Sequence, residues 1–369
     1  MKDRIWLEDL IPADLETCNA ATSFLQSGFW GSFKARFGWD ARSFKLVWKP
    51  QSSHPLLVLR RRLGPGISFA YVPWGPELPL DFPPEARNSA LKELADTLKA
   101  CLPRDTAFIR FDPPWYTVGL GTSSSELGTP FIRAVADIQA PDSVLVSLEG
   151  TSEEILGRMK SKWRYNSRLA LKKGVIIQRP DEKGLDIFYT LLKATARRDG
   201  ISIHSMDYYT TLFSHCREYR TKANNADSSV IPALHLYTAE HEGETLAAIV
   251  VLFRGKEAVY LYGASSNSKR NLMAPYALQV QAMKDAGEMG CKEYDLFGIP
   301  PKEDPSHPMA GLFRFKTGFG GRIIHRPGSW DYSYRNLAMK LFSFLESLRK
   351  NLRDRKKRKF MENSSQENA

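Results

Sequence analysis

Cysteine is scarce in this chain: four stand among 369 residues, at Cys18, Cys101, Cys216 and Cys291, and no two approach C-x-x-C spacing. That excludes a zinc ribbon or a thioredoxin-type pair, and the seven scattered histidines add no metal-ligand pattern. Widely spaced thiols suit a reducing cytosol better than a disulfide-stapled secreted domain. Long apolar runs are missing as well. The longest, Leu246–Phe253, has the length of a buried strand and falls short of the roughly 20 residues of a membrane span. The opening M-K-D-R-I-W-L-E-D-L-I-P lacks the apolar core of a secretory signal. There is no Walker loop, no dinucleotide-binding glycine pattern, no H-E-x-x-H and no G-x-S-x-G. Nucleotide-driven, zinc-peptidase and serine-hydrolase chemistries are thereby disfavoured. The expectation is a cytoplasmic chain with no cofactor and no metal, and with the inner membrane face as one place it could work.

What is present is positive charge, and it is local. The net charge is +11, from 52 Lys and Arg against 41 Asp and Glu. One concentration is M-K-S-K-W-R-Y-N-S-R-L-A-L-K-K-G-V from Met159, which with Arg158 gathers Lys160, Lys162, Arg164, Arg168, Lys172 and Lys173. Ile155, Met159, Trp163 and Ala170 recur near helical spacing, so the segment reads as one amphipathic helix with a basic outer face. A T-x-x-E box at Thr151 and Glu154 marks its start, and Gly174 its stop. Such a face suits a polyanion, with Arg158, Lys162, Arg164 and Lys172 as candidate contacts to RNA phosphates. A solvated surface helix is the plainer alternative. The second concentration spans residues 334–361. There Leu337, Leu341, Phe344, Leu345, Leu348 and Leu352 trace a helical stripe, ahead of R-D-R-K-K-R-K. Packing on a domain is the expected use of that stripe, membrane binding the alternative.

The two halves echo each other. Leu56–Arg60 and Ile67–Val72 form a hairpin, followed by a loop, a helix over Glu85–Ala100 and a strand ending at Asp112. Leu246–Phe253 and Ala258–Tyr262 repeat the hairpin. A helix opened by Pro275 and stopped at Gly290 follows, and then the strand K-E-Y-D-L-F-G. This pattern predicts a duplicated α/β (α+β) chain with mixed sheets. The expected division is 1–146 and 147–327, then a helix over 328–353 packing on the first domain, then a disordered tail over 354–369. Between Gly174 and Leu246 there is room for one helix, one loop and one strand.

Six segments then carry a resemblance. In chain order they are F-L-Q-S-G-F-W-G-S-F-K, Y-V-P-W-G-P, I-R-F-D-P, the basic segment above, T-A-R-R-D-G-I and G-L-F-R-F-K-T-G-F-G-G. Each is weak alone. Their ordered occurrence resembles the Fem family of transferases, which build peptidoglycan interpeptide bridges from aminoacyl-tRNA. The resemblance implies two acetyltransferase-like domains and a compact chain without an inserted helical arm. It also implies aminoacyl-tRNA and a peptidoglycan precursor, lipid-linked or UDP-linked, as substrates, and a monomer is expected.

The resemblance places Lys316, beside Phe315, at the reaction centre. A cation there would stabilise the oxyanion of acyl transfer, although a lysine closing a helix would also answer the dipole. Lys34 matches a lysine that contacts the precursor's diphosphate. The arginine and tyrosine of the second domain fall on His204 and Tyr208, so the arginine is replaced. Either His204 makes a weaker, pH-dependent contact, or Arg197 or Arg198 takes its place. Tyr262, at a strand end, could meet substrate or belong to the core. Asp112 could orient the attacking ammonium and take its proton, or cap its own turn. Two other classes share these features: a coenzyme A-dependent N-acyltransferase and a non-catalytic RNA- or membrane-binding protein. Against the first, S-S-N-S-K-R-N-L-M-A-P stands where a glycine-rich pyrophosphate loop would be needed.

Overall fold

The structure, a computed structural model, describes residues 5–49, 52–119, 126–222 and 230–366. The first half contains β1 (Leu7–Ala13), α1 (Gly28–Ala35), β2 (Asp40–Trp48), β3 (Ser52–Gly64), β4 (Ile67–Val72), α2 (Arg87–Cys101), β5 (Thr106–Phe111), β6 (Thr117–Val118) and β7 (Ile132–Arg133). Next come β8 (Asp142–Ser147), α3 (Ser152–Arg158), α4 (Ser161–Lys172), β9 (Ile176–Gln178), α5 (Leu185–Asp199), α6 (Met206–Lys222) and β10 (Ala233–His241). The chain continues with β11 (Glu244–Arg254), β12 (Glu257–Ser265), α7 (Ala274–Glu288), β13 (Glu293–Asp295), α8 (Ala310–Thr317), β14 (Arg322–His325), β15 (Trp330–Ser333) and α9 (Asn336–Gln366).

Two compact units result. One comprises Met1–Thr117, Ser123–Pro141 and Arg326–Ala369, the other Val118–Thr122 and Asp142–His325. The first is built on a sheet of order β1-β2-β3-β4-β5-β15-β7, the second on β6-β14-β8-β13-β12-β11-β10-β9. Each sheet is mixed, and for the same reason. β3 and β4 pair antiparallel, then α2 carries the chain back so that β5 lies parallel to β4. β11 and β12 repeat the hairpin, and α7 returns β13 parallel to β12. In the first unit Ala90, Leu91, Leu94, Ala95 and Leu98 of α2 pack against Trp48, Val58, Val72 and Ile109. In the second, Ala277, Leu278 and Ala282 of α7 pack with Tyr237, Val251 and Tyr294.

Several boundaries differ from the sequence expectation. Residues 142–146, expected in the first domain, belong to β8 of the second sheet, where Val144 and Val146 are buried. Residues 330–333, expected to be helical, form a strand between β5 and β7. Trp330 and Asp331 are buried there, and Asp331 receives two hydrogen bonds from Arg110 (2.7 and 2.8 Å). The same guanidinium bonds Glu346 of α9 at 3.0 Å through each of two nitrogens, a paired, buried arrangement tying α9 to β5. Phe342 adds ring contacts to Phe69 and Phe108. α9 continues to Gln366, beyond the expected end at Arg353, because the basic run holds good helix formers and neither Gly nor Pro; residues 367–369 lie outside the described residues.

Among the described residues, the stretch between Gly174 and Leu246 holds two helices (α5, α6) and two strands (β9, β10) rather than one of each. Gly200 (φ +61) closes α5 in the left-handed conformation and lets α6 begin a few residues later. The basic segment is likewise two helices. The capping box on Thr151 and Glu154 and the left-handed Gly174 (φ +83) mark its ends. Between them Met159 turns extended (ψ 152) and Lys160 donates its N–H to Gly318 O at 2.9 Å. The break is therefore made by a partner distant in sequence, which helical periodicity does not register.

Candidate functional site

In the second unit, α5, β12, the N-terminal end of α7 and α8 enclose a cavity of about 600 Å³. Lys316, Phe315 and Arg198 all line it. Lys316 sits in the last turn of α8 and is 6% exposed. Its Nζ donates to Phe297 O at 3.0 Å and to Gly298 O at 2.9 Å, and lies 5.3 Å from the centroid of the Tyr260 ring. Burial pushes its pKa down to about 7, against the opposing pull of Asp295. An ammonium has three N–H donors, and two are committed here. The third has no acceptor among the described residues.

The acceptors are held by a shaped turn. Phe297 has φ +56, a left-handed conformation costly for a non-glycine residue. It is fixed from both sides, since its N–H donates to Asp295 Oδ1 at 2.7 Å and its carbonyl receives Lys316. Asp295 is fully buried and also accepts from Ser143; its Oδ2 has no hydrogen-bond donor among the described residues. Asp295 thus supplies the negative charge that balances Lys316. The clue in the sequence was the repeat, in which K-E-Y-D ends the second-half strand as I-R-F-D ends the first.

Tyr260 is the other residue sequence reasoning passed over. β12 is bulged: Val251 pairs with Tyr260 but Val250 with Tyr262, leaving Leu261 extra. The bulge breaks the period-2 relation between the two tyrosines. Tyr260 lines the cavity, with its hydroxyl lying over Gly263, where a Cβ would come within 1.6 Å. Tyr262 instead joins Tyr208, their hydroxyls 3.4 Å apart, and packs edge-on against Tyr209. The exposed His204 stacks on Tyr208 with centroids 3.9 Å apart. His204, Tyr208 and Tyr262 therefore form one aromatic cluster. Arg198 is engaged elsewhere, with Asp199, Ser265 O and Asn267 Oδ1, so its guanidinium also braces the end of β12.

The G-L-F-R-F-K-T-G-F-G-G segment and the basic segment meet. Trp163 donates its ring N–H to Phe315 O at 2.8 Å and lies directly over Gly318. Gly320 (φ +80) abuts Arg158 O, where a Cβ would stand at 2.4 Å. Two of the expected RNA contacts also bond backbone carbonyls of residues 147–159. Arg158 bonds Ser147 O and Glu149 O, each at 2.9 Å, and Arg164 bonds Gly157 O and Met159 O. Lys162 and Lys172 are exposed, as is Lys173.

In the first unit, Lys34 closes α1, its Nζ 5.4 Å from the Trp30 ring centroid and 5.6 Å from that of Trp39. The Arg61 guanidinium lies over Trp39 as well. Burial, helped by Arg61, lowers the Lys34 pKa to about 8. Two neighbouring cations on aromatic faces form a site that an anion would relieve. Asp112 follows β5 and is buried, accepting from the Tyr71 hydroxyl at one oxygen and the Ser329 hydroxyl at the other. Burial raises its pKa to about 6, opposed by those two bonds. So placed, its carboxyl pins β4, β5 and the segment leading into β15.

Among the described residues no group of three His, Cys, Asp or Glu could hold a metal, and no helix is long and apolar enough to cross a membrane. The segment Ser266–Met273 contains no glycine, and Pro275 in the first turn of α7 removes one N–H from that terminus. A backbone cradle for a pyrophosphate is correspondingly weakened.

A crystal structure of FemX shares this fold with a TM-score of 0.72, at 19% identity over 91% of this chain and all of that one. A lipid II:glycine glycyltransferase of Staphylococcus epidermidis is 25% identical over 53% of this chain; the match spans 59% of that relative's length. One of Staphylococcus aureus, also a lipid II:glycine glycyltransferase, is 23% identical over 90% of this chain and 93% of its own. The FemAB family profile matches residues 16–224 and 214–347, which takes in both repeats of the hairpin, helix and strand as well as Lys34, Asp112 and Lys316. The chain belongs to the FemAB family.

Proposed function

We propose that this chain is an aminoacyltransferase. It moves a small, uncharged amino acid from its tRNA ester to the stem-peptide amine of a peptidoglycan precursor. The observation that carries the reading is the buried Lys316 ammonium, fixed by two carbonyl oxygens in the lining of a cavity, with one N–H without an acceptor among the described residues. In the reaction the amine nitrogen attacks the ester carbonyl, forming a C–N bond and sending the carbonyl electrons onto oxygen. Lys316 donates its third N–H to that oxyanion, an interaction stronger in the transition state than in the ester. Collapse expels the ribose oxygen, which takes up the proton released by the amine. Proximity supplies much of the remaining rate.

The other residues divide by chemistry. The aromatic walls of Tyr260, Tyr276 and Phe315 favour a small aminoacyl group beside Lys316. Lys34 with Arg61 suits the precursor's diphosphate, and the His204, Tyr208 and Tyr262 cluster suits the acceptor. Asp112, with both oxygens occupied, is kept as a structural pin rather than a base. The names of the staphylococcal relatives support a lipid-linked acceptor. The test is to incubate the protein with a panel of charged tRNAs and with lipid-linked and UDP-linked precursors, and to weigh the product. A mass gain of one amino acid, dependent on tRNA, supports the reading; transfer from an acyl-coenzyme A instead would overturn it.

A further inference from the structure

The apolar stripe of α9 does not pack. Leu337, Leu341, Phe344, Leu345, Leu348 and Leu352 are 41–85% exposed. At 3.6 residues per turn they fall within a sector of roughly 100° and extend about 22 Å along the axis. The helix is held by its opposite side. Met339 is buried, Phe342 contacts Phe69 and Phe108, Glu346 bonds Arg110, and Lys350 Nζ donates to Val135 O at 3.0 Å. A helix anchored in this way should turn polar groups outward, as α2 does with Lys92, Asp96 and Lys99. α9 turns leucines outward, a contiguous patch of the kind that marks an interaction site.

Charge identifies the occupant. By helical position, Lys340 and Arg349 flank the stripe, and the sequence continues as R-D-R-K-K-R-K from Arg353. The acids of this stretch are Glu346, committed to Arg110, and Asp354. A second copy would bring the same positive charge to the contact, whereas an anionic surface with an apolar interior complements both features. We propose that α9 docks on an anionic lipid bilayer, lying in the interface plane with its leucine stripe inserted and its basic residues on the headgroups. This stands independently of the transfer reaction, because it concerns a face of the first unit that needs no substrate.

The test is flotation of the full chain with vesicles of mixed phosphatidylglycerol and phosphatidylcholine, and with vesicles of phosphatidylcholine alone. The parent should bind the anionic vesicles, and bind less as salt rises. The variant L341E/F344E/L348E should need at least about tenfold more lipid for half-binding at an unchanged melting temperature, since those side chains already face outward. K340E/R349E should also bind more weakly, with a shallower salt dependence. Retained binding in the triple variant would overturn the insertion, and equal binding to neutral vesicles would overturn the anionic assignment. No vesicle binding, with self-association in sedimentation that the triple variant loses, would assign the stripe to a second copy instead.

Discussion

Gly318 lies beneath Trp163 so closely that a Cβ at position 318 would stand 2.0 Å from Trp163 Cε2. The backbone there is ordinary (φ −82), so glycine is required by contact and not by conformation. This contact seats α4 on the end of α8, two residues from Lys316. Gly318→Ala should displace the indole and break its bond to Phe315 O. The expected loss is about 1–3 kcal/mol of unfolding free energy, the usual range for overpacking, with transfer falling further than stability. Denaturant melts alongside turnover will check this, and an unchanged midpoint would refute it.

Much of this arrangement was legible in the sequence. The repeated hairpin, helix and strand announced two similar mixed sheets, and Pro275, Gly174 and the Thr151–Glu154 box marked helix ends correctly. Lys316, Phe315 and Arg198 were singled out, and they share one cavity. What was hidden depended on distant partners. The break at Met159 answers to Gly318, the bulge at Leu261 decides which tyrosine reaches the cavity, and β15 is a strand because β5 and β7 offer edges to it. The carbonyl bonds of Arg158 and Arg164 were hidden for a related reason. A basic residue looks the same in sequence whether its guanidinium faces solvent or binds carbonyls of its own fold.

Lys316→Ala should lower transfer by roughly two to three orders of magnitude, the cost of one lost oxyanion donor, with the protein still folded. The pH profile is the sharper check. The donor role needs the ammonium, so the chemical step should weaken as pH rises through about 7, the lowered pKa of this buried lysine. A rate limb that rises through the same value would instead make Lys316 a base. Stability moves the other way. The folded state holds fewer protons than the unfolded chain between about 7 and the ordinary 10.5, so this contribution is full above 10.5 and is lost as pH falls to 7. Lys316→Met should flatten that slope.

Asp112 gives the opposite sign. Its folded pKa of about 6 lies above the ordinary 3.8, so the native state holds the extra proton in that window. The stabilisation is complete below 3.8 and lost as pH rises through 6, amounting to about 3 kcal/mol for a fully buried group. Asp112→Asn should remove this dependence. It should also cost about 1–3 kcal/mol at neutral pH, because an amide cannot accept from both the Tyr71 and Ser329 hydroxyls. Chemical denaturation of both proteins from pH 4 to 7 measures the difference, and parallel curves would dismiss the assignment.

The exposed lysines of α4 provide the last prediction. Lys162, Lys172 and Lys173 face solvent, while Arg158 and Arg164 are tied to backbone carbonyls. If a tRNA brings the amino acid, its backbone should meet the lysines, and binding should fall steeply with salt at about −0.9 in log–log slope per duplex phosphate contact. K162E/K172E/K173E should weaken many tRNAs alike and make that slope shallower, since phosphate contacts carry little sequence information. Arg158→Glu should act differently. It removes the bonds to Ser147 O and Glu149 O and so should lower the melting temperature even without RNA. Filter binding across a salt series, paired with melting curves, separates the two effects. A triple variant that binds tRNA like the parent would move the RNA contact to another face.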